Sequence, residues 1–141
     1  MSKTKKLGRE VSVIGGAMSQ FGCFSEKNSR DLMAEAYTEA LDTVDKGLDP
    51  REIEAIYVGN FSADLFEGQS HLGHLLADWL GLAPRPATRI EGACASSGLA
   101  FREGIMAIDR DKSRAVSEVV RQHPAMSLVA VSPGIAVFVT L

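Results

Sequence analysis

The stretch that decides the fold runs from Ala87 to Ala100, ATRIEGACASSGLA. Pro84 and Pro86 break the chain just ahead of it, and ATRIEG reads as a short strand. From Ala95 to about Ile108 the pattern is helical, with Leu99 and Met106 against Arg102-Glu103 marking its apolar and polar sides. One thiol, Cys94, stands between strand and helix in a run of very small residues. A helix N-terminus favours a thiolate through its unpaired backbone N–H groups. A sharp strand-to-helix turn pushes the side chain toward the open edge of a sheet. Ala93, Ala95, Ser96 and Gly98 leave room for a substrate thioester to approach. The N–H of Cys94 is also a candidate donor to a developing oxyanion. Free cysteine is among the most buried residue types, however, so the residues alone leave packing and nucleophile both open.

Upstream, VSVIGGAM (Val11 to Met18) is short, apolar and β-branched and contains two glycines, which predicts a buried strand running into a turn. Asn28 or Ser29 caps a helix with Asp31 in its first turn. Leu32, Ala36, Ala40 and Val44 recur every four residues beside Met33, Tyr37 and Leu41, which makes one apolar face. Gly47 is its expected stop. Asp49-Pro50 opens a short helical turn, and AIYVGN (Ala55 to Asn60) is the next strand. FSADLFEGQS reads as a loop. A helix from about His71 to Leu80 follows, with Leu72, Leu76 and Trp79 inward and Gly81 as its stop. Strands separated by helices predict an α/β fold with a mostly parallel sheet. Ligands gather at the carboxyl ends of such strands, where the first-strand glycines, GNFS and Cys94 should meet. Beyond Ile108, the charged DRDKSRAVSEVVRQHP suggests a helix from Ser113 to Gln122. MSLVAVSPGIAVFVTL offers two β-rich runs around a Ser-Pro-Gly turn.

With 141 residues, 45% hydrophobic and 23% charged, the composition is that of a globular domain. A net charge of -3 gives no electrostatic case for nucleic acid or an anionic membrane. MSKTKKLGRE is basic, but no apolar run follows it directly, so it does not read as a secretory signal. The apolar C-terminal run is shorter than the ~20 residues a spanning helix needs, and Pro133 interrupts it. A soluble, cytoplasmic protein is the expectation. Two cysteines, Cys23 and Cys94, argue against a disulfide framework, and Cys23 in QFGCFSEK reads as structural. His71 and His74, three apart on a helix, have metal-ligand spacing, but no further Cys/His cluster supports a metal. None of the three histidines, His123 included, stands in a recognisable catalytic context, so no general base is assignable.

VIGGAMSQFG, SRDLMAEAYTEAL, AIYVGNFSADLFEGQSHLGHLLADWLGL and RIEGACASSGLAFREGIMAI, in that order, resemble the thiolase family, more closely its sterol-carrier-protein-like and archaeal acetoacetyl-CoA branch. The resemblance implies a basic lead at 1–10, a thiolase N-terminal-domain-like unit at 11–108 and a divergent tail at 109–141. It implies that Cys94 takes an acyl group from acyl-CoA as a thioester. A second acetyl-CoA is then deprotonated and condensed with it, or the reverse cleavage occurs. No metal or prosthetic group is implied, since coenzyme A enters as substrate and product. A homodimer or homotetramer is implied. Gln69 matches a family position near the nucleophile.

Members of the family have two similar halves, and after Ile108 a strand such as DVVLVGG is expected where this chain reads DRDKSRAVSEVV. The glycine-histidine-proline loop and the second cysteine of the family have no match here; RQHPAM around His123 lacks the glycine-rich surroundings. The expectation is a thiolase-like N-terminal half, incomplete relative to the family, whose activity alone is in doubt. Two alternatives stay open: a non-catalytic remnant or interaction module, and another condensing enzyme such as a ketoacyl synthase. The runs SLVAVSP and GIAVFVTL are candidates to serve as substitute strands in the sheet.

Overall fold

Among the residues described, the elements run β1 (Ser12–Met18), α1 (Ser29–Asp42), β2 (Ala55–Gly59), α2 (Ala63–Glu67), α3 (Leu72–Trp79), β3 (Ala87–Ile90), α4 (Ser96–Arg110), β4 (Met126–Ser132) and β5 (Ile135–Thr140). The structure, a computed structural model, describes residues 11–110, 126–132 and 135–140, with side chains over 11–108. The basic lead, the expected helix at Ser113 to Gln122, His123 and the Pro133-Gly134 turn lie outside the described residues.

The sheet order is β1-β5-β4-β2-β3. β2 pairs parallel with both β3 and β4, while β5 pairs antiparallel with β4 and β1. Only β5 is therefore reversed. The carboxyl ends of β1, β2, β3 and β4 share one edge of the sheet, as a mostly parallel α/β fold requires. The two strands beyond residue 125 lie inside the sheet: β4 takes the slot beside β2 (Ile56 opposite Leu128), and β5 separates it from β1.

Strand β2 shows how the layers are built. Ile56 and Val58 point into a core with Met33, Ala36, Tyr37 and Ala40 of α1 and Leu72, Leu76 and Ala77 of α3. Tyr57 points the other way, to a second cluster around Ala100 and Ile108 of α4. This period-two alternation puts α1 and α3 on one face of the sheet and α4 on the other.

Local chemistry sets the element ends. Asn28 Oδ1 accepts from the Asp31 N–H at 3.2 Å, and Asp31 Oδ2 accepts from the Asn28 N–H at 3.1 Å, a reciprocal capping box. The buried row of α1 is Met33, Ala36, Tyr37 and Ala40, all on the apolar face expected, with Leu41 and Val44 partly buried beside it. That row follows the i, i+3, i+4, i+7 stripe of a straight helix more closely than strict fours do. α1 also ends ahead of Gly47. The Thr43 hydroxyl donates to Ala40 O at 2.8 Å and accepts from the Gly16 N–H at 3.0 Å, which closes the helix and ties it to β1. Gly81 does stop α3, at φ 68°, a backbone region that alanine enters at a cost.

Two expectations are corrected. β1 is not buried: it lies at the edge of the sheet, with Val13 58% and Met18 50% exposed. The loop FSADLFEGQS contains α2, started by Asn60 Oδ1, which accepts from the N–H groups of Ser62 (3.1 Å) and Ala63 (2.9 Å). Its apolar Leu65 and Phe66 face out at 78% exposure, so no inward periodicity marks it in the sequence. Two further bonds anchor α2, since the Ser29 N–H and hydroxyl both donate to Glu67 Oε1 at 3.1 and 2.7 Å.

Ile56 is wholly buried on β2, an inner strand of the sheet. Ile56→Ala should lower the unfolding free energy by about 2–5 kcal/mol, read by urea denaturation followed by circular dichroism.

Candidate active site

The site is assembled where β2 and β3 end. Gly59 and Ile90, the last residues of the two strands, lie opposite each other in the ladder. The Asn60 N–H donates to Ile90 O at 3.1 Å, so the two exits stay together for one residue more. From Ile90 the chain turns through Glu91 and Gly92, forms a 3₁₀ turn at Ala93–Ala95 and enters α4 at Ser96. This start of α4 rests directly on β2. A Cβ added to Gly59 would lie 2.6 Å from Ser96 O and 2.7 Å from Ser97 Cα. Both are backbone atoms, so only a residue without a side chain lets helix and strand approach this closely.

Cys94 is exposed and free at the crest of the turn. Beside it, Ala93 holds φ 48°, in the left-handed region that costs a non-glycine residue about 1–2 kcal/mol. Polar contacts brace this conformation from below. Ser96, only 3% exposed, accepts from the Gly92 N–H at 3.0 Å and donates to Ala93 O at 2.7 Å. Glu91 Oε1 accepts from the Ala93 N–H at 3.2 Å. The Ala95 N–H donates to Gly92 O at 2.9 Å. The thiol thus stands just ahead of the N-terminus of a 15-residue helix, at the positive end of its dipole.

Arg89 of β3 fastens the neighbouring loop. Its Nε donates to Asn60 O at 2.9 Å and its guanidinium pairs with Asp64 of α2 at 2.8 Å. The hydrogen bond from Arg89 holds the Asp64 carboxyl below the usual carboxylate range. Gln69, expected near the nucleophile, is half-buried and accepts from the His71 N–H at 3.0 Å. His71 and His74 line an open cavity of about 300 Å³ with Ser70, Gly73, Ala87, Thr88 and Arg89. That cavity flanks β3, and among the described residues no hydrogen bond joins either histidine to Cys94. No group of three or more His, Cys, Asp or Glu among the described residues is placed to hold a metal ion. Among them, too, no helix is long and apolar enough to cross a membrane. Cys23, read as structural, is exposed as well. Ser96, expected to leave room for a substrate, is instead buried beneath the turn, Asn60 does more than end a strand, and Arg89 has no local signal in the sequence. Asn60 carries a signal in hindsight, an Asn two residues ahead of a polar-apolar run, which is an Asx-turn pattern. Ser96 reads equally well as a helix cap, and its backward reach shows only in three dimensions.

The family model for the thiolase N-terminal domain matches residues 11–120, which span Cys94 and most of the chain. The chain belongs to the thiolase N-terminal domain family. An acetyl-CoA acetyltransferase of Methanothermobacter thermautotrophicus is 47% identical over 100 residues, covering 71% of this chain and 26% of that protein. One from Methanocaldococcus jannaschii is 43% identical over 98 residues, covering 70% of this chain and 24% of that protein. The chain thus spans about a quarter of the length of the curated relatives it matches. An acetyl-CoA acetyltransferase structure from Syntrophomonas wolfei has the same fold, with a TM-score of 0.63 at 20% identity, over 84% of this chain and 28% of that one. This thiolase N-terminal domain therefore shares its α/β architecture with solved members of the family.

Two outcomes follow from the geometry. Gly59→Ala should force β2 and α4 apart, lowering stability by about 1–3 kcal/mol in a denaturant titration and altering the rate at which iodoacetamide labels Cys94. Asp64→Asn tests the Arg89 pair through pH. A carboxyl depressed in the folded state adds stability above its unfolded pKa and loses it as pH falls through the folded value. The variant should unfold slightly more easily than the parent at pH 7, and the gap should close as pH falls through the folded value of the carboxyl. The effect is small because Asp64 is 54% exposed.

Proposed function

We propose that this chain carries the acyl-accepting cysteine of a thiolase-type acyl-CoA acyltransferase. The observation that carries the reading is Cys94: exposed, free, and presented at the carboxyl edge of the sheet in a turn that lies within the family match. The names of the relatives, acetyl-CoA acetyltransferases, support acetyl-CoA as the donor. In this reading the Cys94 thiolate attacks the thioester carbonyl and a bond forms from sulfur to the acyl carbon. The bond from that carbon to the coenzyme A sulfur breaks, and coenzyme A leaves as the thiol with the proton that Cys94 gave up. Small neighbours leave the approach open: Ala93, Ala95 and Gly98 are all exposed. Coenzyme A is substrate and product, and no metal or prosthetic group enters the step.

The second half of the reaction deprotonates another acetyl-CoA, and the resulting carbanion attacks the acyl-cysteine and releases the thiol. That step needs a base close to the sulfur. The cavity that His71 and His74 line is placed beside β3, and neither histidine is bonded to Cys94. Among the described residues no histidine is bonded to Cys94, so the half-reaction proposed for this chain is acyl transfer onto Cys94, with assembly into a homo-oligomer as the family resemblance implies.

Incubation with acetyl-CoA followed by intact-mass and peptide mass spectrometry should show one acetyl group on Cys94. Cys94→Ala should abolish it while Cys23→Ser leaves it unchanged. A parallel acetoacetyl-CoA cleavage assay should show no sustained turnover. Absence of acetylation in a folded chain would refute the acyl-acceptor role, and sustained cleavage would refute the division into half-reactions.

A further inference from the structure

The turn that presents Cys94 holds an alanine, not a glycine, in the left-handed region. Something must compensate for that, because alanine leaves this region readily when nothing holds it. The side chains of Ala93, Cys94 and Ala95 are exposed, and Glu91, whose Oε1 accepts from the Ala93 N–H at 3.2 Å, is exposed as well. Ser96 is different. It is buried to 3% exposure, and its hydroxyl reaches backwards, away from the helix it begins. It accepts from the Gly92 N–H and donates to Ala93 O, so one oxygen spans the two residues that precede the thiol. A serine at a helix start ordinarily spends its hydroxyl on amides further along the helix. Here both bonds go to the turn.

We infer that Ser96 is the positioning residue of the Cys94 turn: its hydroxyl holds Ala93 at positive φ and so fixes where the sulfur stands. This rests on the reading of Cys94 as the acyl acceptor, but its structural part is testable without that reading. The Ser96 backbone is in turn set against Gly59, so the hydroxyl is anchored to the sheet as well as to the helix. Ser96 acts on the turn through hydrogen bonds and through Cys94 on the acyl group, and is not itself placed against substrate.

The test uses the full chain in the Cys23→Ser background, comparing Ser96→Ala with Ser96→Thr, which keeps the hydroxyl. The first readout is nuclear magnetic resonance of the turn. The three-bond coupling of the Ala93 amide, read together with its intraresidue HN–Hα nuclear Overhauser effect, which is strong only at positive φ, reports its φ, and hydrogen exchange at Gly92 reports the bond to Ser96. Ser96→Ala should move Ala93 to negative φ and speed Gly92 exchange, and Ser96→Thr should do neither. A folded Ser96→Ala chain that keeps Ala93 at positive φ overturns the proposal. The second readout is acetyl transfer from acetyl-CoA. Ser96→Ala should slow it by about ten- to a hundredfold, the scale of a misplaced reacting atom, and Ser96→Thr should restore it. If the parent chain is not acetylated at all, the acyl-acceptor reading fails while the coupling measurement still decides the role of Ser96. If Ser96→Ala does not fold, adding Ala93→Gly decides, because glycine takes positive φ freely. Recovery of the fold supports the hydroxyl's role, and continued failure to fold overturns it.

Discussion

Everything at the site depends on how closely the first turn of α4 approaches the end of β2. The contact is backbone to backbone, and Gly59 is what allows it. Because it is so close, the turn between β3 and α4 has little freedom. Five residues, Glu91 to Ala95, must turn the chain from Ile90 and set Ser96 down on the strand beside it. The left-handed Ala93 and the 3₁₀ turn that carries Cys94 are the local result. A thiol in such a place does not need a pocket of its own. It is exposed by the sharpness of the turn and lies near the positive end of a helix dipole by the same geometry.

Polar contacts then convert a permitted conformation into a single one. Asn60 serves three purposes at once: its N–H extends the β2–β3 pairing, its carbonyl receives Arg89, and its side chain starts α2. Ser96 does the corresponding work on the other side of the strand ends. Hydrogen bonds of this kind add modest net stability individually. Their importance is directional, since they link the exits of two strands and the starts of two helices into one rigid edge. The apolar side chains at this end, Phe61, Leu65, Phe66 and Leu99, are exposed to differing degrees. The site is therefore held by polar and backbone contacts, while the apolar core lies below it around Ile56, Val58, Leu72 and Leu76.

Strands β4 and β5, which follow residue 125, complete the sheet. Strand β4 fills the slot beside β2 with a parallel ladder, and β5 returns antiparallel to carry β1. Without β4, β2 would present an unpaired edge in the middle of the fold. β-Rich residues around a turn are sufficient for this purpose, because a ladder is made by backbone groups and tolerates many side chains.

The sequence by itself determined the element order through Ile108 apart from α2, the cap at Asn28, the stop at Gly81 and the strand–turn–helix around Cys94. Each of these is a local matter: a periodicity, a capping side chain or a glycine acts within a few residues, and it can be read there. The family resemblance was legible for the same reason, as runs of matching residues. Tertiary structure alone decided the rest. It put β1 at an exposed edge and β4 beside β2, because strand pairing joins residues far apart in the chain. It made α2 a helix whose large apolar residues, Leu65 and Phe66, face outward, since its start depends on Asn60 rather than on a buried stripe. It also gave Gly59, Arg89 and Ser96 their roles, which exist only because two strand ends and a helix start converge. A close approach of this kind is a property of three segments at once, and no one of them carries it alone.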